Sequence, residues 1–185
     1  SPILLEYLYI NFKPSRRGFL AASLALPASQ IKAAPAPQAQ KGAPKLEYAT
    51  LGKTGLKVTR VSFGCMITSD PSVIERAADT GIIHFDTARV YGGGNNERMV
   101  GAALKSRRKN LVISSKTISQ TKEAALRDLE TSLSELQTDH LDIWYLHSKR
   151  APEDIKDELM EAQRIAKQQG KIRFAGISNH AGHKE

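Results

Sequence analysis

Short apolar runs alternate with amphipathic stretches through most of the chain. Five runs rich in β-branched and aromatic residues begin at positions 61, 82, 111, 141 and 172. The intervals between these starts are 21, 29, 30 and 31 residues, close to the roughly 30 residues of a strand–helix–strand unit. Runs such as Leu111-Val112-Ile113 are continuously apolar, which is typical of parallel strands covered on both faces. The pattern predicts successive βαβ units and a parallel sheet.

Amphipathic segments fill the spaces between the runs. The predicted helices are the segments 72–80, 96–105, 122–136 and 154–169. In the third helix, Leu126, Leu129 and Leu133 recur at the spacing that places them on one face. Gly81 and Gly170 follow the first and the fourth helix, at the position where glycine commonly ends a helix. We expect each helix to pack its apolar face on the sheet.

A predicted β-hairpin precedes these units, with strands at 46–50 and 56–59 around Gly52-Lys53-Thr54-Gly55. The units themselves fit either a doubly wound open sheet or an eight-stranded α/β barrel. A dinucleotide-binding open sheet has G-x-G-x-x-G after its first strand, and Gly64-Cys65-Met66 departs from that motif. We therefore predict an α/β fold of the (β/α)8 TIM barrel type, with about the first five strands present after the hairpin. Gly92-Gly93-Gly94 predicts a flexible loop.

The first 44 residues differ in composition from the rest. Arg16 and Arg17 directly precede the apolar run 19–26, and an Ala/Pro/Gln-rich segment covers 33–43. This order of regions is typical of an export signal, and Ser-Arg-Arg-x-Phe-Leu resembles the twin-arginine type. We expect a leader over 1–44 and the partial barrel over 45–185.

This leader predicts an export route as well as a domain boundary. The twin-arginine export machinery is the expected partner and the bacterial periplasm the expected location, with the cytoplasm as the alternative if the leader does not function. The apolar run 19–26 is shorter than the roughly 20 residues of a membrane-spanning helix. No stable membrane anchor is therefore expected.

Charge and cysteine content narrow the class of function. The formal net charge is +8, and residues 1–44 contribute half of it, through five basic residues and one acidic residue. The remaining excess suits an anionic cofactor, and we expect no nucleic-acid partner. Cys65 is the single cysteine, which excludes an intrachain disulfide, and we interpret it as a small apolar strand residue. His180-x-x-His183 is too sparse for a metal site, so no metal is expected.

Polar side chains mark the ends of four predicted strands. Strands two to five of the predicted barrel end at Asp86, Lys116, His147 and the pair Ser178-Asn179. Tyr91 follows the first of these by five residues. In a parallel barrel, catalytic residues gather at the carboxyl ends of the strands. Each residue alone has an ordinary structural interpretation, as a helix cap, a solvated lysine or a hydrogen-bonded histidine.

Together these side chains indicate carbonyl reduction. An ordinary phenol has a pKa of about 10 and is a poor acid near neutral pH unless a cation stabilises its phenolate. Lys116 offers that cation, and Asp86 can hold the ammonium group. His147 can orient a carbonyl oxygen while Tyr91 donates a proton to it. Because no side chain supplies a hydride, the reaction requires a cofactor.

An ordered series of motifs resembles the aldo-keto reductases. The series runs through 51–58, 61–66, GIIHFDTA at 81–88, Tyr91-Gly92, Asn96-Glu97, 128–133, Leu136, Asp139, 141–142, 145–147, 170–173 and 176–179. The resemblance implies a catalytic tetrad with Tyr91 as general acid, formed by Asp86, Tyr91, Lys116 and His147. It also implies that Ser178 and Asn179 contact the nicotinamide carboxamide. The implied cofactor is NADPH, with NADH as the other option, and the implied substrate is a small aldehyde or ketone.

The resemblance covers about residues 46–180, which hold five predicted barrel strands, whereas a closed barrel has eight strands and typically about 250 residues. Because five of the eight strands are present, we expect a truncated form of an exported reductase. In this family, the loops after the later strands hold most of the cofactor. Two other interpretations stay open. One is a non-catalytic aldo-keto-reductase-like module that binds partners or senses redox state. The other is a different group of α/β-barrel enzymes that shares only the architecture.

Overall fold

The computed structural model describes residues 45–179. The strands in this part are β1 (Tyr48–Thr50), β2 (Lys57–Thr59), β3 (Phe63–Gly64), β4 (His84–Asp86), β5 (Val112–Thr117), β6 (Leu141–Lys149) and β7 (Ile172–Asn179). The α-helices are α1 (Pro71–Asp79), α2 (Asn95–Leu104), α3 (Lys122–Glu135) and α4 (Asp157–Gln168). The predicted leader at 1–44 and the segment His180-x-x-His183 lie outside the described residues.

Strands β3 to β7 form one sheet in which the strand order follows the chain order. Every neighbouring pair is parallel, as the registers Phe85↔Ile113 and Lys116↔Tyr145 illustrate. Strands β1 and β2 pair antiparallel as a separate hairpin. This topology confirms the predicted α/β fold, with the hairpin followed by five consecutive strands of a (β/α)8 barrel.

The main core lies between the sheet and its helices. All six residues of β5 are buried, which explains why its sequence does not alternate between apolar and polar residues. From α3, Leu129 and Leu133 are buried in this core and Leu126 packs against it. From the sheet, Phe85 and Trp144 are fully buried in the same cluster. The apolar stripe predicted for the third helix is therefore the face that packs on the sheet.

The hairpin packs on the opposite face of the sheet, near the amino-terminal ends of the strands. Leu56 and Val58 form a second buried cluster with Val112 and Ile143, which lie near the starts of β5 and β6. The alternation of side chains along a strand explains the two clusters, because Val112 faces the hairpin whereas Ile113 faces the helices. The hairpin thus lies away from the carboxyl ends of the strands.

Several element boundaries and one loop differ from the sequence prediction, most of the boundaries by one to three residues. Strands β3 and β4 begin two residues later than the apolar runs at 61 and 82, because their ladder pairing begins only at Phe63 and His84. The glycine run predicted as a flexible loop belongs to a 3₁₀ turn, Tyr91–Gly94, in which Gly92 and Gly93 have φ values of 57° and 63°. Glycine adopts this left-handed region without strain. The fourth helix begins at Asp157, because Pro152–Asp154 form a separate 3₁₀ turn.

Candidate active site

A buried ammonium group lies at the carboxyl end of β4. The parallel register of β4 and β5 places Asp86 opposite Ser114, so that Lys116 reaches across to it. The Lys116 Nζ donates to Asp86 Oδ2 at 2.5 Å and to the Thr87 carbonyl oxygen at 2.7 Å. Only 7% of the Lys116 side chain is exposed. Since a buried charge requires such partners, these contacts fix the position of the cation.

The Tyr91 hydroxyl lies next to this cation. Lys116 Nζ donates to the Tyr91 hydroxyl oxygen at 3.4 Å and lies 4.9 Å from the centre of its ring. The Arg89 N–H donates to the Lys116 carbonyl oxygen at 3.0 Å, and the Tyr91 N–H donates to the Ala88 carbonyl oxygen at 3.1 Å. The first contact attaches the loop that bears the tyrosine to the end of β5, and the second closes a turn within that loop.

His147 faces the tyrosine from β6. The two rings are 6.0 Å apart between centroids and meet edge to face at 81°. Next to the histidine, β6 has an irregularity between Leu146 and Lys149, where Ser148 adopts a positive φ of 55°. A bulge of this kind changes the direction of a side chain near the end of a strand. The four residues of the predicted tetrad therefore gather in one place, and their chemical roles stay predictions.

The Ser178 hydroxyl connects β7 to the histidine. It lies 2.7 Å from His147 Nδ1 and accepts a hydrogen bond from the Ser148 N–H at 3.1 Å. When this hydroxyl donates to Nδ1, the ring hydrogen is on Nε2. In that tautomer, the Nε2–H is a donor of the kind that a carbonyl oxygen accepts.

The end of β7 offers groups that match a carboxamide. A serine hydroxyl has one donor and two acceptor positions, and the contacts of Ser178 with His147 and Ser148 leave one acceptor position for an amide N–H. Asn179, the last residue of β7, has an amide with both donor and acceptor atoms. The chemistry of this pair fits the nicotinamide end of a cofactor, and its predicted binding role stays a prediction.

A buried carboxylate supports the tyrosine loop from α2. The Glu97 side chain is fully buried, accepts a hydrogen bond from Ser115 Oγ at 2.5 Å and forms an ion pair with Arg89. Burial raises the pKa of Glu97 above its ordinary value. Arg89 also donates to the Gly94 carbonyl oxygen at 2.9 Å. The ion pair therefore connects both ends of the turn that contains Tyr91.

Asn96 connects the same turn to β3 and β4. Its Nδ2 donates to the Cys65 carbonyl oxygen at 2.8 Å, and its Oδ1 accepts from Thr87 Oγ1 at 2.6 Å. In the sequence, Asn96 and Glu97 belong to the series of motifs that resembles the aldo-keto reductases, and no separate role was predicted for them. The available signal was their position directly after the glycine run, where polar side chains at the start of a helix commonly bind the preceding loop.

Cys65 lies close to this site but has the surroundings of an inert thiol. It is fully buried, and burial together with the charge of Asp86 raises its pKa to about 12. A thiol with such a pKa is almost entirely protonated near neutral pH, and the thiolate is the reactive form. This agrees with its interpretation as a small apolar residue.

Residues 45–179 contain neither a cluster of metal-type ligands nor a helix that could span a membrane. In this part of the chain, no three His, Cys, Asp or Glu side chains gather as ligands of a metal ion would. No helix there has the length and apolar character needed to cross a membrane.

Comparison with known sequences gives one consistent result. Residues 69–184 match the sequence profile of the aldo/keto reductase family. The uncharacterized oxidoreductase YrpG of Bacillus subtilis is 34% identical over 167 residues, which cover 74% of this chain and 50% of that protein. The L-galactose dehydrogenase of Arabidopsis thaliana is 32% identical over 155 residues, which cover 72% of this chain and 49% of that enzyme. The chain thus spans about half the length of these relatives.

Solved structures give the same result for the fold. The aldo-keto reductase AKR11C1 from Bacillus halodurans, in its holo form, superposes with a TM-score of 0.69 at 32% identity, over 73% of this chain and 51% of that one. The thermostable aldo-keto reductase Tm1743, in complex with the inhibitor epalrestat, superposes with a TM-score of 0.65 at 33% identity, over 72% of this chain and 54% of that one.

Proposed function

The chain belongs to the aldo/keto reductase family, and from that premise we propose that its protein reduces the carbonyl group of an aldehyde or ketone with a hydride from NADPH. One observation supports this most directly. The buried ammonium of Lys116 lies between the Asp86 carboxylate and the Tyr91 hydroxyl. A cation at this position stabilises the phenolate that remains after the tyrosine has given up its proton.

Each member of the tetrad has a separate task in this proposal. Tyr91 donates its hydroxyl proton to the carbonyl oxygen as the alcohol forms. Lys116 stabilises the resulting phenolate, and Asp86 keeps the ammonium group next to it. His147 donates its Nε2–H to the carbonyl oxygen and so orients the substrate. The nicotinamide cofactor, when bound, supplies the hydride.

The preference between NADPH and NADH is a finer part of the proposal. Ser178 and Asn179 match the carboxamide, which both cofactors share, so these contacts do not discriminate between them. The family resemblance favours NADPH. Comparing kcat/KM for the two cofactors with one aldehyde measures the preference, and a ratio in favour of NADH would overturn this part alone.

Turnover and its dependence on Tyr91 test the main proposal. The purified protein is expected to consume NADPH when an aldehyde is added. Replacing the phenol in Tyr91→Phe should lower kcat by at least about 100-fold, since a positioned general acid contributes about that much, while NADPH binding, measured by fluorescence, stays unchanged. Tyr48→Phe, on the exposed hairpin, is the matched control and should keep full activity.

A different result would favour the non-catalytic alternative. If the protein binds NADPH, turns over no aldehyde or ketone, and responds to Tyr91→Phe no more than to Tyr48→Phe, the site serves in binding or redox sensing rather than in catalysis.

For the leader, we propose that residues 1–44 direct export to the periplasm through the twin-arginine machinery. The support is the order of the paired arginines, the apolar run 19–26 and the small-residue segment. A reporter fused to residues 1–44 should appear in the periplasm. The double change Arg16→Lys and Arg17→Lys should retain it in the cytoplasm, and equal export of both fusions would contradict the proposal.

A further inference from the structure

A second set of polar contacts leads away from Asp86 towards the amino-terminal end of the sheet. Ser114 Oγ donates to Asp86 Oδ1 at 2.5 Å. The next side chain is His84, whose Nε2 lies 3.2 Å from Ser114 Oγ. At the other side of the ring, His84 Nδ1 lies 2.8 Å from Ser62 Oγ. The tetrad chemistry described above uses none of these three residues.

Ser62, His84, Ser114 and Asp86 thus form a row of hydrogen-bonded side chains. The positions of the hydrogens in this row follow from the acceptor at its end, Asp86. A carboxylate only accepts hydrogen bonds, so the Ser114 hydroxyl must use its single hydrogen on Asp86. Ser114 Oγ then accepts from His84, which places the ring hydrogen on Nε2. The remaining nitrogen, Nδ1, accepts from the Ser62 hydroxyl. Every hydrogen in the row therefore points towards Asp86.

The surroundings of His84 keep its ring in the neutral form that this arrangement requires. Burial is the largest effect and holds the pKa of His84 below its ordinary value. Among the charged groups that face the ring, Lys116 acts in the same direction, whereas Asp86 and Asp142 act in the opposite one. A neutral imidazole with one donor and one acceptor nitrogen can take up a proton on one side and release one on the other.

The far end of the row opens into a cavity between the hairpin and the sheet. Ser62 and His84 line this cavity together with Thr59 and Arg60, and its volume is about 440 Å³. The Ser62 residue is exposed. The row therefore runs from solvent at the amino-terminal end of the strands to the tetrad at their carboxyl ends.

We propose that Ser62, His84 and Ser114 form a proton relay that reloads the tetrad after each turnover. The inference rests on the proposed reductase function, because that reaction removes one proton from Tyr91 in each cycle. Substrate and cofactor occupy the carboxyl ends of the strands in that function. A route from the opposite end delivers the replacement proton while they are still bound.

The relay conserves protons at each step. After Tyr91 has given its proton to the product oxygen, the Lys116 ammonium passes one to the phenolate. Asp86 Oδ1 receives the Ser114 hydroxyl proton, and rotation of the neutral carboxyl group about its Cβ–Cγ bond brings this O–H to the Lys116 amine, which takes the proton. Ser114 takes the proton from His84 Nε2. His84 Nδ1 takes one from Ser62, and Ser62 takes one from solvent.

The sum of these transfers is one solvent proton consumed for each O–H bond formed in the product alcohol. Each O–H or N–H bond that breaks in the row is replaced by a new one on the same group. Rotation of the Ser114 hydroxyl restores its starting orientation. His84 returns to its starting tautomer when the ring turns into the cavity that it lines, where Nδ1 releases a proton to water and Nε2 takes one up.

Rapid-mixing kinetics of the purified protein test the relay. His84→Gln keeps polar atoms at this position but cannot take up and release a proton, and Ser114→Ala breaks the row at a second point. With NADPH and an aldehyde, the first turnover of each variant should be within about twofold of the unaltered protein, because Tyr91 starts protonated. The steady-state kcat should fall about tenfold or more, since acid–base groups contribute at least that much.

Two controls separate a relay from a structural role. Free imidazole should restore part of the kcat of His84→Gln, which loss of packing alone would not allow. His140→Gln changes a partly exposed histidine that contacts Asp139 rather than the tetrad. It should leave both the first-turnover rate and the steady-state kcat unchanged. A cooperative thermal unfolding transition shows that each variant is folded. His84→Gln and Ser114→Ala interrupt the row at different residues, so the same effect in both supports the relay.

Two results would overturn the relay. In the first, kcat is unchanged in both His84→Gln and Ser114→Ala. In the second, the first turnover slows as much as kcat does, which would make these residues positioning residues only. A failure of the proposed function looks different, because the unaltered protein itself would then consume no NADPH with carbonyl compounds, and the relay would fail with it.

Discussion

At the scale of single residues, the two oxygens of Asp86 serve two different neighbours. Oδ2 accepts from the Lys116 ammonium and Oδ1 accepts from the Ser114 hydroxyl. Each contact fixes the carboxylate in the orientation that the other requires. Because Lys116 holds Oδ2 separately, Ser114→Ala is expected to keep the contact between Asp86 and Lys116 while it removes the connection between Asp86 and His84.

The burial of His84 predicts how stability depends on pH. Its pKa is lowered in the folded chain, so just below about pH 6.5 the unfolded chain binds more protons at this residue than the folded chain does. The stability that depends on the neutral ring is present above about pH 6.5 and is lost as the pH falls towards the folded pKa.

Urea denaturation of the unaltered protein and of His84→Gln at about pH 7 and about pH 5 measures this effect. The free energy of unfolding should fall more between the two pH values for the unaltered protein, because the variant has no imidazole to protonate. Equal decreases would show that His84 titrates alike in the folded and unfolded chains.

The residues of the tetrad were predictable because each lies within a few residues of the carboxyl end of a strand, where the parallel barrel rule applies. The rule does not apply to Ser114, which lies in the interior of β5, or to Glu97, which lies on α2. Their polar partners come from segments 18 to 30 residues away. An apolar pattern shows that such a strand is buried, but not which polar side chains meet inside it.

At the scale of elements, α2 and the end of α3 approach each other at a glycine. A Cβ atom at Gly101 would lie 2.5 Å from the Glu135 carbonyl oxygen and 2.6 Å from the Leu136 Cα. Real Cβ atoms do not come this close to a backbone. The contact therefore depends on the absence of a side chain at this position.

Helix propensity and packing predict opposite results for Gly101→Ala. Propensity alone would stabilise the helix by about 1 kcal/mol, whereas the clash with α3 is expected to cost about 1–3 kcal/mol. We expect packing to dominate, so the free energy of unfolding in urea should decrease. Ala102→Gly, at the exposed neighbouring position, should lose about 1 kcal/mol through propensity alone. A stabilised Gly101→Ala variant would show that the helices can separate at little cost.

The order and type of elements followed from the sequence, but the shape of the tyrosine turn did not. Three consecutive glycines are compatible with many backbone paths, and they predicted only a flexible loop. The actual turn depends on Arg89, which forms an ion pair with Glu97 and donates to the Gly94 carbonyl oxygen. This side chain also fills the space next to Gly94, where a Cβ would lie 2.5 Å from Arg89 Nη2. Such contacts through space leave no periodic signal.

At the scale of the whole molecule, the hairpin and the sheet share a buried cluster. Leu56 is only 4% exposed and packs with Val112 and Ile143. Leu56→Ala is therefore expected to lower the free energy of unfolding by about 2–5 kcal/mol, in a single transition for hairpin and sheet, as circular dichroism during thermal unfolding would show. Val61→Ala, at a side chain that is 62% exposed, should change stability by less than about 0.5 kcal/mol. A separate early transition in Leu56→Ala would mean that the hairpin unfolds independently.

The order of the strands in the sheet has a consequence for how the protein is made. Each strand from β4 to β7 pairs with the strand synthesised directly before it. When one of these strands emerges from the ribosome, the preceding strand with which it pairs has therefore already been made. Asp86 and Lys116 lie on the neighbouring strands β4 and β5, so their contact can form before His147 has emerged from the ribosome.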